Sequence, residues 1–220
     1  MNLNLEDARF NMIEQQIRPW NVLDPSVLDS LQSLRREDFV PAGQRELAFA
    51  DIEIPLGDGQ FMLAPKLEAR LLQSAMLQES DRILEIGSGS GYMAALLAHQ
   101  GGSVTSVEIN PRLAAMARNN LQKAGINRVD LHEGNGLDGI PAPSSYDVII
   151  LSGSVQNIAP ALLQQLKPGG GRMVAIVGTA PVMQAQLVLC DNDSVYSYHN
   201  LFETTAPMLV GGEQKGEFVL

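Results

Sequence analysis

The stretch that decides the fold is RILEIGSGSGYMAALLA, residues 82–98. It begins with a short apolar run, which is typical of a strand buried on both faces of a sheet. The glycines at 87, 89 and 91 follow, and they permit a tight turn and a close approach of the backbone to a ligand. The helix predicted after them would offer its first N–H groups to negative charge. The stretch therefore predicts a strand, a ligand-binding loop and a helix, in that order.

The spacing of the glycines and two later residues indicate which ligand the loop binds. The motif G-x-G-x-x-G is typical of a dinucleotide site. This loop instead reads G-x-G-x-G and has Tyr92 where the third glycine would fall. Glu108 ends the next predicted strand, about 20 residues after the loop begins, where a carboxylate can bind both ribose hydroxyls. Ile109 is in position to pack on an adenine, and Asn135, after the third strand, to contact its edge. Each feature alone could be an ordinary turn, but together they favour S-adenosylmethionine over a nicotinamide dinucleotide.

The alternation of strands and helices continues through most of the chain. Further strands are predicted at SVTSVEI (103–109), RVDLHEG (128–134), YDVIIL (146–151) and GRMVAIVG (171–178), with a helix at APALLQQLK (159–167). Such alternation indicates a parallel sheet covered on both faces. Only TAPVMQ precedes AQLVLC (185–190), too short a link for a crossover helix, so the last strands should return antiparallel. We predict an α/β fold: a doubly wound, Rossmann-like, mostly parallel sheet with an antiparallel C-terminal meander and N-terminal helices.

The residues before 79 follow a different pattern. Apolar residues recur at helical spacing up to Arg18-Pro19, and Asp24-Pro25 and Pro65 start two further helices. LAFADIEIPLGDGQ (47–60) reads as irregular or extended. We expect residues 1–78 to form a helical extension with a substrate-side segment, and residues 79–220 to form the cofactor-binding α/β core, in one compact unit.

Charge and composition exclude several classes of protein. The net charge is −10 and the pI is near 4.7, which argues against a nucleic-acid partner; Arg35-Arg36 reads as a solvated helix end. Cys190 is the single cysteine and is predicted to be a small core residue, so the cytoplasm is the expected location. MNLNLEDARF is not typical of a signal peptide, and no apolar run approaches a membrane span of about 20 residues. No metal site is expected, because the histidines show no ligand spacing: His99, His132 and His199.

With these motifs the chain resembles class I S-adenosylmethionine-dependent methyltransferases and, more narrowly, the protein-L-isoaspartate O-methyltransferase family. The resemblance rests on MIEQQIRPWNVLDPSVLDSLQSLRREDFVP (12–41), ILEIGSGSGYMAALLA (83–98), YDVIILSG (146–153), QLKPGG (165–170) and LFETTAPMLVG (201–211). It implies methyl transfer from S-adenosylmethionine, with S-adenosylhomocysteine as product, to isoaspartyl carboxylates of peptides or proteins, a repair reaction. A carboxylate is ionised at pH 7, so this reaction needs no general base.

The resemblance also implies a cofactor site. The residues expected around the methionine part are Glu85, Gly87, Ser88, Gly89, Ser90 and Gly91. Those expected around the ribose and adenine are Glu108, Ile109, Asn135, Gly136 and Leu137. Asn135 stands where the family usually carries Asp, so its contact with the adenine would be altered.

The chain departs from the family pattern where the substrate is expected. After Gly59-Gln60 the family carries Thr-Ile-Ser, and here the residues are Phe61-Met62-Leu63. The serine held to matter for activity aligns with Leu63, so the catalytic residue stays unknown, and a family proline aligns with Ile176. The residues expected to face the substrate are Gln60, Phe61, Met62, Leu63 and Ser152.

These departures leave alternatives open. If the family's serine donates a hydrogen bond to the substrate carboxylate, losing it weakens the reaction by a factor of about 10 to 100. The alternatives to repair are a methyltransferase of the same fold for a more apolar, unknown small acceptor, and a cofactor-binding protein without repair activity. The apolar run at 61–63 could also be core beneath the N-terminal helices.

Overall fold

The computed structural model describes residues 4–140 and 145–213. Its helices are α1 (Leu5–Met12), α2 (Pro25–Ser33), α3 (Pro65–Ser74), α4 (Tyr92–Gln100), α5 (Pro111–Lys123) and α6 (Pro160–Leu163). Its strands are β1 (Ile54–Gly57), β2 (Gln60–Met62), β3 (Arg82–Ile86), β4 (Ser103–Glu108), β5 (Val129–Glu133), β6 (Val148–Val155), β7 (Arg172–Thr179), β8 (Val182–Cys190) and β9 (Tyr196–Thr204). Among the described residues, no helix combines the length and apolar character needed to cross a membrane.

Seven of the strands form the central sheet, in the order β5-β4-β3-β6-β7-β8-β9. The first five pair in parallel, while β8 and β9 pair antiparallel. The predicted α/β fold with an antiparallel C-terminal meander is confirmed. Because β9 runs in the same direction as β7, its last residues reach the edge of the sheet at which the parallel strands end. That edge is where ligands bind in sheets of this kind, beside the point where the strand order reverses.

The helix starts follow the signals in the sequence. The side chain of Asp24 accepts a hydrogen bond from the Ser26 N–H at the start of α2, and Asn110 does the same for Arg112 and Leu113 at the start of α5. The predicted helix at 159–167 is shorter than expected, because α6 ends at Leu163. Beyond it the chain turns to the sheet, where the Tyr146 N–H donates to the carbonyl of Gln165.

The segment at 54–62 forms a small hairpin of β1 and β2, which the sequence pattern did not resolve beyond irregular or extended chain. Its turn places Gly57, Asp58 and Gly59 at φ of 94°, 53° and 69°, a left-handed backbone that glycine adopts without strain. The carboxylate of Asp58 accepts hydrogen bonds from the side chains of Asn110 and Arg112. The hairpin is thereby fastened to the start of α5, next to the carboxyl end of β4.

The main hydrophobic core joins the N-terminal helices to the sheet. It contains Ile17 and Leu31 from the N-terminal segment, Leu71 from α3, and Ile83 and Ile150 from the strands. A second cluster, which includes Leu151 and Leu162, fills the opposite face of the sheet beneath α6. Apolar surface from both sides of residue 79 is therefore buried in the same core.

One expectation about charged residues is wrong. The pair at 35–36 was expected to be a solvated helix end, and this holds for Arg35 but not for Arg36, which is completely buried. Arg36 is tolerated inside because its guanidinium donates to the carbonyls of Ala48 and Leu63 and pairs with the carboxylate of Glu68. Cys190 is buried, as predicted.

Candidate active site

A cleft lies at the edge of the sheet where the parallel strands end. It lies between the loops after β3, β4 and β5, the β1–β2 hairpin and the segment after β9. The cleft brings together most of the residues expected from the sequence: Gly87, Gly89, Glu108, Ile109, Asn135, Gly136, Leu137, Gln60, Phe61 and Ser152.

The glycine loop is shaped by close packing as well as by backbone angles. Gly87 has a φ of 91°, and a Cβ built there would lie 2.6 Å from Cδ2 of Leu209. Gly91 has a φ of 86°, and its Cβ would lie 3.1 Å from the backbone of Ala117 on α5. A side chain at Gly87 would push the end of the Leu209 side chain aside, and one at Gly91 would press against the Ala117 backbone. The positive φ at both positions also strains any residue other than glycine, so the shape of the loop favours glycine.

The carboxylate of Glu108 is held in one orientation at the end of β4. It is 5% exposed; one oxygen accepts from the Gly89 N–H at 2.8 Å and the other from the Asn110 N–H at 2.9 Å. Each carboxylate oxygen can accept more than one hydrogen bond, so both retain capacity for hydroxyl donors in the cleft. The geometry suits recognition of a diol such as ribose.

Glu85 lies beneath the loop, with no exposed surface. One of its oxygens accepts from the Ser106 hydroxyl at 2.6 Å and the other from the Ser152 hydroxyl at 2.8 Å. Burial raises the pKa of Glu85 to about 7, although the hydrogen bonds from the two serines oppose the shift. Burial therefore favours the protonated form of Glu85 up to about pH 7, and Ser152 is its neighbour on the open side.

The remaining serines of the loop, Ser88 and Ser90, are 4% exposed each. The Ser88 hydroxyl lies 2.5 Å from that of Ser106, and the Ser90 carbonyl accepts a hydrogen bond from the Asn120 side chain. Both residues line a deeper recess that continues from the cleft beneath the loop. Their contacts hold the loop against β4 and α5.

The amide of Asn135 is used within its own turn after β5. Its oxygen accepts from the Leu137 N–H at 3.2 Å, and its nitrogen donates to Asp138 at 2.6 Å. The next residue is constrained too, because a Cβ on Gly136 would lie 2.5 Å from Ile86. The side chain of Asn135 thus stabilises the turn that forms one wall of the cleft.

The apolar run after Gln60 divides between the cleft and the core. Phe61 is 40% exposed at the mouth of the cleft, whereas Met62 and Leu63 are almost fully buried in the main core. Met62 and Leu63 also line the deeper recess beneath the glycine loop, which we call the inner recess. Its walls include Phe61, Met62, Leu63, Glu68, Glu85 and Tyr92. The interpretation as a wall of the site therefore applies to Phe61, and the interpretation as core applies to Met62 and Leu63.

The inner recess contains buried polar groups that the sequence did not indicate. Glu68 on α3 pairs with Arg36, whose guanidinium carbon lies 5.0 Å from the centre of the Tyr92 ring. The Tyr92 hydroxyl is buried and has no hydrogen-bond partner among the described residues. Arg36 thereby links Glu68 and the Leu63 carbonyl to the wall of the recess.

One expected substrate-side position is wrong, and some cleft residues were missed. Ile176 has no exposed surface and lies in the main core, opposite Ala185 of β8, so it cannot face a substrate. Leu209 and Val210 line the cleft, because the chain returns across it after β9. Their only sequence signal was their place just beyond a strand that ends at this edge.

Comparison with known proteins identifies relatives of the whole chain. The sequence profile described as Protein-L-isoaspartate(D-aspartate) O-methyltransferase matches residues 8–210. The protein-L-isoaspartate O-methyltransferase 2 of Pelobacter propionicus is 39% identical over 181 residues, which cover 82% of this chain and 80% of that protein.

Two solved structures share the fold. A protein-L-isoaspartate O-methyltransferase superposes with a TM-score of 0.78 at 24% identity; the match covers 93% of this chain, which spans 65% of that one. A beta-aspartate methyltransferase from Plasmodium falciparum, in complex with S-adenosyl-L-homocysteine, gives 0.76 at 16% identity and covers 94% of this chain and 98% of that one. At these identities the structures establish the architecture.

Proposed function

The chain belongs to the protein-L-isoaspartate(D-aspartate) O-methyltransferase family, and we propose that it transfers a methyl group from S-adenosylmethionine to the free carboxylate of isoaspartyl residues in peptides or proteins. The single observation that carries the proposal is the Glu108 carboxylate, held at the carboxyl end of β4 by the N–H of Gly89 in the glycine loop. Methylation of isoaspartyl residues would serve protein repair, as the resemblance to the family implies. We place it in the cytoplasm, because the only cysteine is buried and the fold uses no disulfide.

The residues of the cleft fit the cofactor on chemical grounds. Glu108 offers oxygens to the ribose hydroxyls, and Ile109, Leu113 and Leu137 supply apolar surface for the adenine. The carboxyl of Glu85 lies beneath the glycine loop, and the positive sulfonium or ammonium group of the methionine part would favour its ionised form there. When bound, S-adenosylmethionine supplies the electrophilic methyl group, and the protein supplies binding and orientation.

The acceptor side needs no proton transfer. An isoaspartyl carboxylate is ionised at pH 7, so the chain has only to place it against the methyl group and to keep water away. Phe61 at the mouth of the cleft and Leu209 over Gly87 are the residues in position to cover the reacting groups. The Ser152 hydroxyl, which donates to Glu85, is the polar side chain of the cleft on the β6 side.

A second candidate is a methyltransferase for a neutral, more apolar acceptor. The observation that favours it is the apolar lining of the inner recess by Phe61, Met62 and Leu63, together with the carboxylates of Glu68 and Glu85. These acids would repel an anionic acceptor unless Arg36 and the cofactor balance their charge.

The proposal is tested with labelled S-adenosylmethionine and an isoaspartyl peptide beside its aspartyl twin. We expect label in the isoaspartyl peptide only, as a base-labile methyl ester. Glu108→Gln should weaken S-adenosylmethionine binding by about tenfold or more in calorimetry, since it removes the charge that the ribose hydroxyls bind. Glu133→Gln, an exposed change at the end of β5, is the matched control. Tight cofactor binding without label in the peptide would reject isoaspartyl transfer and favour the second candidate.

A further inference from the structure

A second groove lies beside the cleft at the same edge of the sheet. It runs between the start of α3, the β7–β8 turn and the end of β9, and we call it the side groove; its walls include Trp20, Glu53, Ala64, Lys66, Val182 and Glu203. Ala64 directly follows Leu63 of the inner recess, and Thr205, also in the groove, lies shortly before Leu209 of the cleft. A chain that places one residue in the cleft would therefore have its flanking residues near this groove.

The two carboxylates of the side groove, Glu53 and Glu203, have no cationic partner among the described residues. The one lysine of the groove, Lys66, pairs with Asp51 at 2.6 Å and lies 4.2 Å from the centre of the Trp20 ring. Glu53 and Glu203 are both exposed, and neither has a hydrogen bond or an ion pair with any side chain in residues 4–140 and 145–213. Partial burial raises the pKa of Glu53, as expected for a carboxyl without a cation beside it.

The walls of the side groove also expose apolar surface. Trp20 is 42% exposed and Val182, the first residue of β8, is 70% exposed. Exposed tryptophan is enriched among the residues that anchor protein partners. Apolar walls together with the carboxylates of Glu53 and Glu203 are complementary to a polypeptide that carries basic side chains.

We propose that the side groove binds the polypeptide on either side of the methyl-accepting residue and selects chains with lysine or arginine near that residue. The inference rests on the proposed function and specifies the substrate class. Glu53 and Glu203 attract the basic side chains, and Trp20 packs against their aliphatic parts or against the peptide backbone.

The kinetic test uses isoaspartyl peptides that differ only in flanking lysines or flanking glutamates. We expect the wild-type protein to have a KM for the lysine peptide about three- to tenfold lower than for the glutamate peptide, with similar kcat, because exposed charge pairs contribute modestly. The difference should shrink at high ionic strength. In the double variant Glu53→Gln/Glu203→Gln it should fall below about twofold.

The control variant is Glu79→Gln/Asp193→Asn, which removes two exposed carboxylates from turns at the opposite edge of the sheet. It should retain the preference for the lysine peptide. Equal KM values in the wild-type protein, or an undiminished preference in Glu53→Gln/Glu203→Gln, would overturn the inference while leaving the proposed function intact.

Binding can also be followed without catalysis, because Trp20 is the only tryptophan of the chain. Titration with the lysine peptide should give a saturable change in Trp20 fluorescence, and both Glu53→Gln/Glu203→Gln with this peptide and the wild-type protein with the glutamate peptide should need a higher peptide concentration to reach it. If no isoaspartyl peptide is methylated, the proposed function fails, and this titration still decides whether the groove binds basic chains. A flat titration with the lysine peptide would overturn the inference.

Discussion

At the scale of single residues, two acids beside the glycine loop differ in their surroundings. Glu108 opens to the cleft and accepts backbone N–H groups, whereas Glu85 is enclosed and accepts serine hydroxyls. The backbone N–H groups of Gly89 and Asn110 hold the Glu108 carboxylate in place, while burial disfavours the ionised form of Glu85. The sequence located both acids at strand ends but could not distinguish these environments, since burial depends on distant segments.

The buried carboxyl of Glu85 predicts a pH-dependent stability. The pKa of Glu85 in the folded state, about 7, lies above the ordinary value of 4.5. The stabilisation that Glu85 contributes is therefore fully present below pH 4.5 and is lost as the pH rises through about 7. Relative to Glu85→Gln, the wild-type free energy of unfolding should therefore fall by about 3 kcal/mol between pH 4.5 and 8. Urea unfolding of both proteins at several pH values measures the difference. A difference that does not change with pH would show that Glu85 has an ordinary pKa.

Leu63 allows a second prediction at this scale. Its side chain is 3% exposed, so Leu63→Ser should lower the free energy of unfolding by about 2–5 kcal/mol, the range for truncating a core leucine. We expect no gain in isoaspartyl methylation, because the buried position keeps the hydroxyl from an acceptor in the cleft. Leu23→Ser, at a residue 62% exposed, is the control and should change stability little. A tenfold rise in kcat/KM would instead mean that the hydroxyl reaches the substrate.

At the scale of elements, α3 is held against the N-terminal segment by a buried ion pair. Arg36 connects Glu68 of α3 with the carbonyls of Ala48 and Leu63. The start of α3 forms one wall of the inner recess, so this contact sets the position of the wall. The sequence showed the amphipathic helix but not its ionic contact, because Arg36 and Glu68 are distant along the chain.

Removing Arg36 should be costly, because it leaves the charge of Glu68 buried without a partner. We predict that Arg36→Leu lowers the free energy of unfolding by about 3–5 kcal/mol, while the exposed Arg35→Leu costs less than about 1 kcal/mol. The double variant Arg36→Leu/Glu68→Leu should recover part of the loss. Denaturant unfolding of the set measures this, and an equal effect of Arg35→Leu and Arg36→Leu would contradict the burial argument.

At the scale of the whole molecule, the two parts of the chain divided at residue 79 share one core. Ile17 and Leu31 pack in the same cluster as Ile83 and Ile150 of the sheet. We therefore predict that they unfold together. Trp20 reports on the N-terminal part and far-UV circular dichroism on the helices and strands of both parts, so thermal curves from the two probes should coincide. Two separated transitions would mean that residues 1–78 form an independent unit.

The sequence by itself determined the succession of strands and helices along the sheet-forming part of the chain, the glycine loop, the acids at the strand ends and the antiparallel C-terminal strands. These follow from local rules, since strand and helix periods, caps and link lengths are properties of neighbouring residues. Helix α5 illustrates such rules, because it begins after the cap residue Asn110 and ends at Lys123, two residues before Gly125.

Only the tertiary structure decided how the apolar run at 61–63 divides, why Arg36 is buried and Ile176 is in the core, and that Leu209 covers the glycine loop. It also places Glu53 and Glu203 in the groove beside the cleft, where neither pairs with a side chain of residues 4–140 and 145–213. The physical reason is that exposure and charge pairing depend on which distant segments meet, and a strand's period shows which residues share a face but not what covers it.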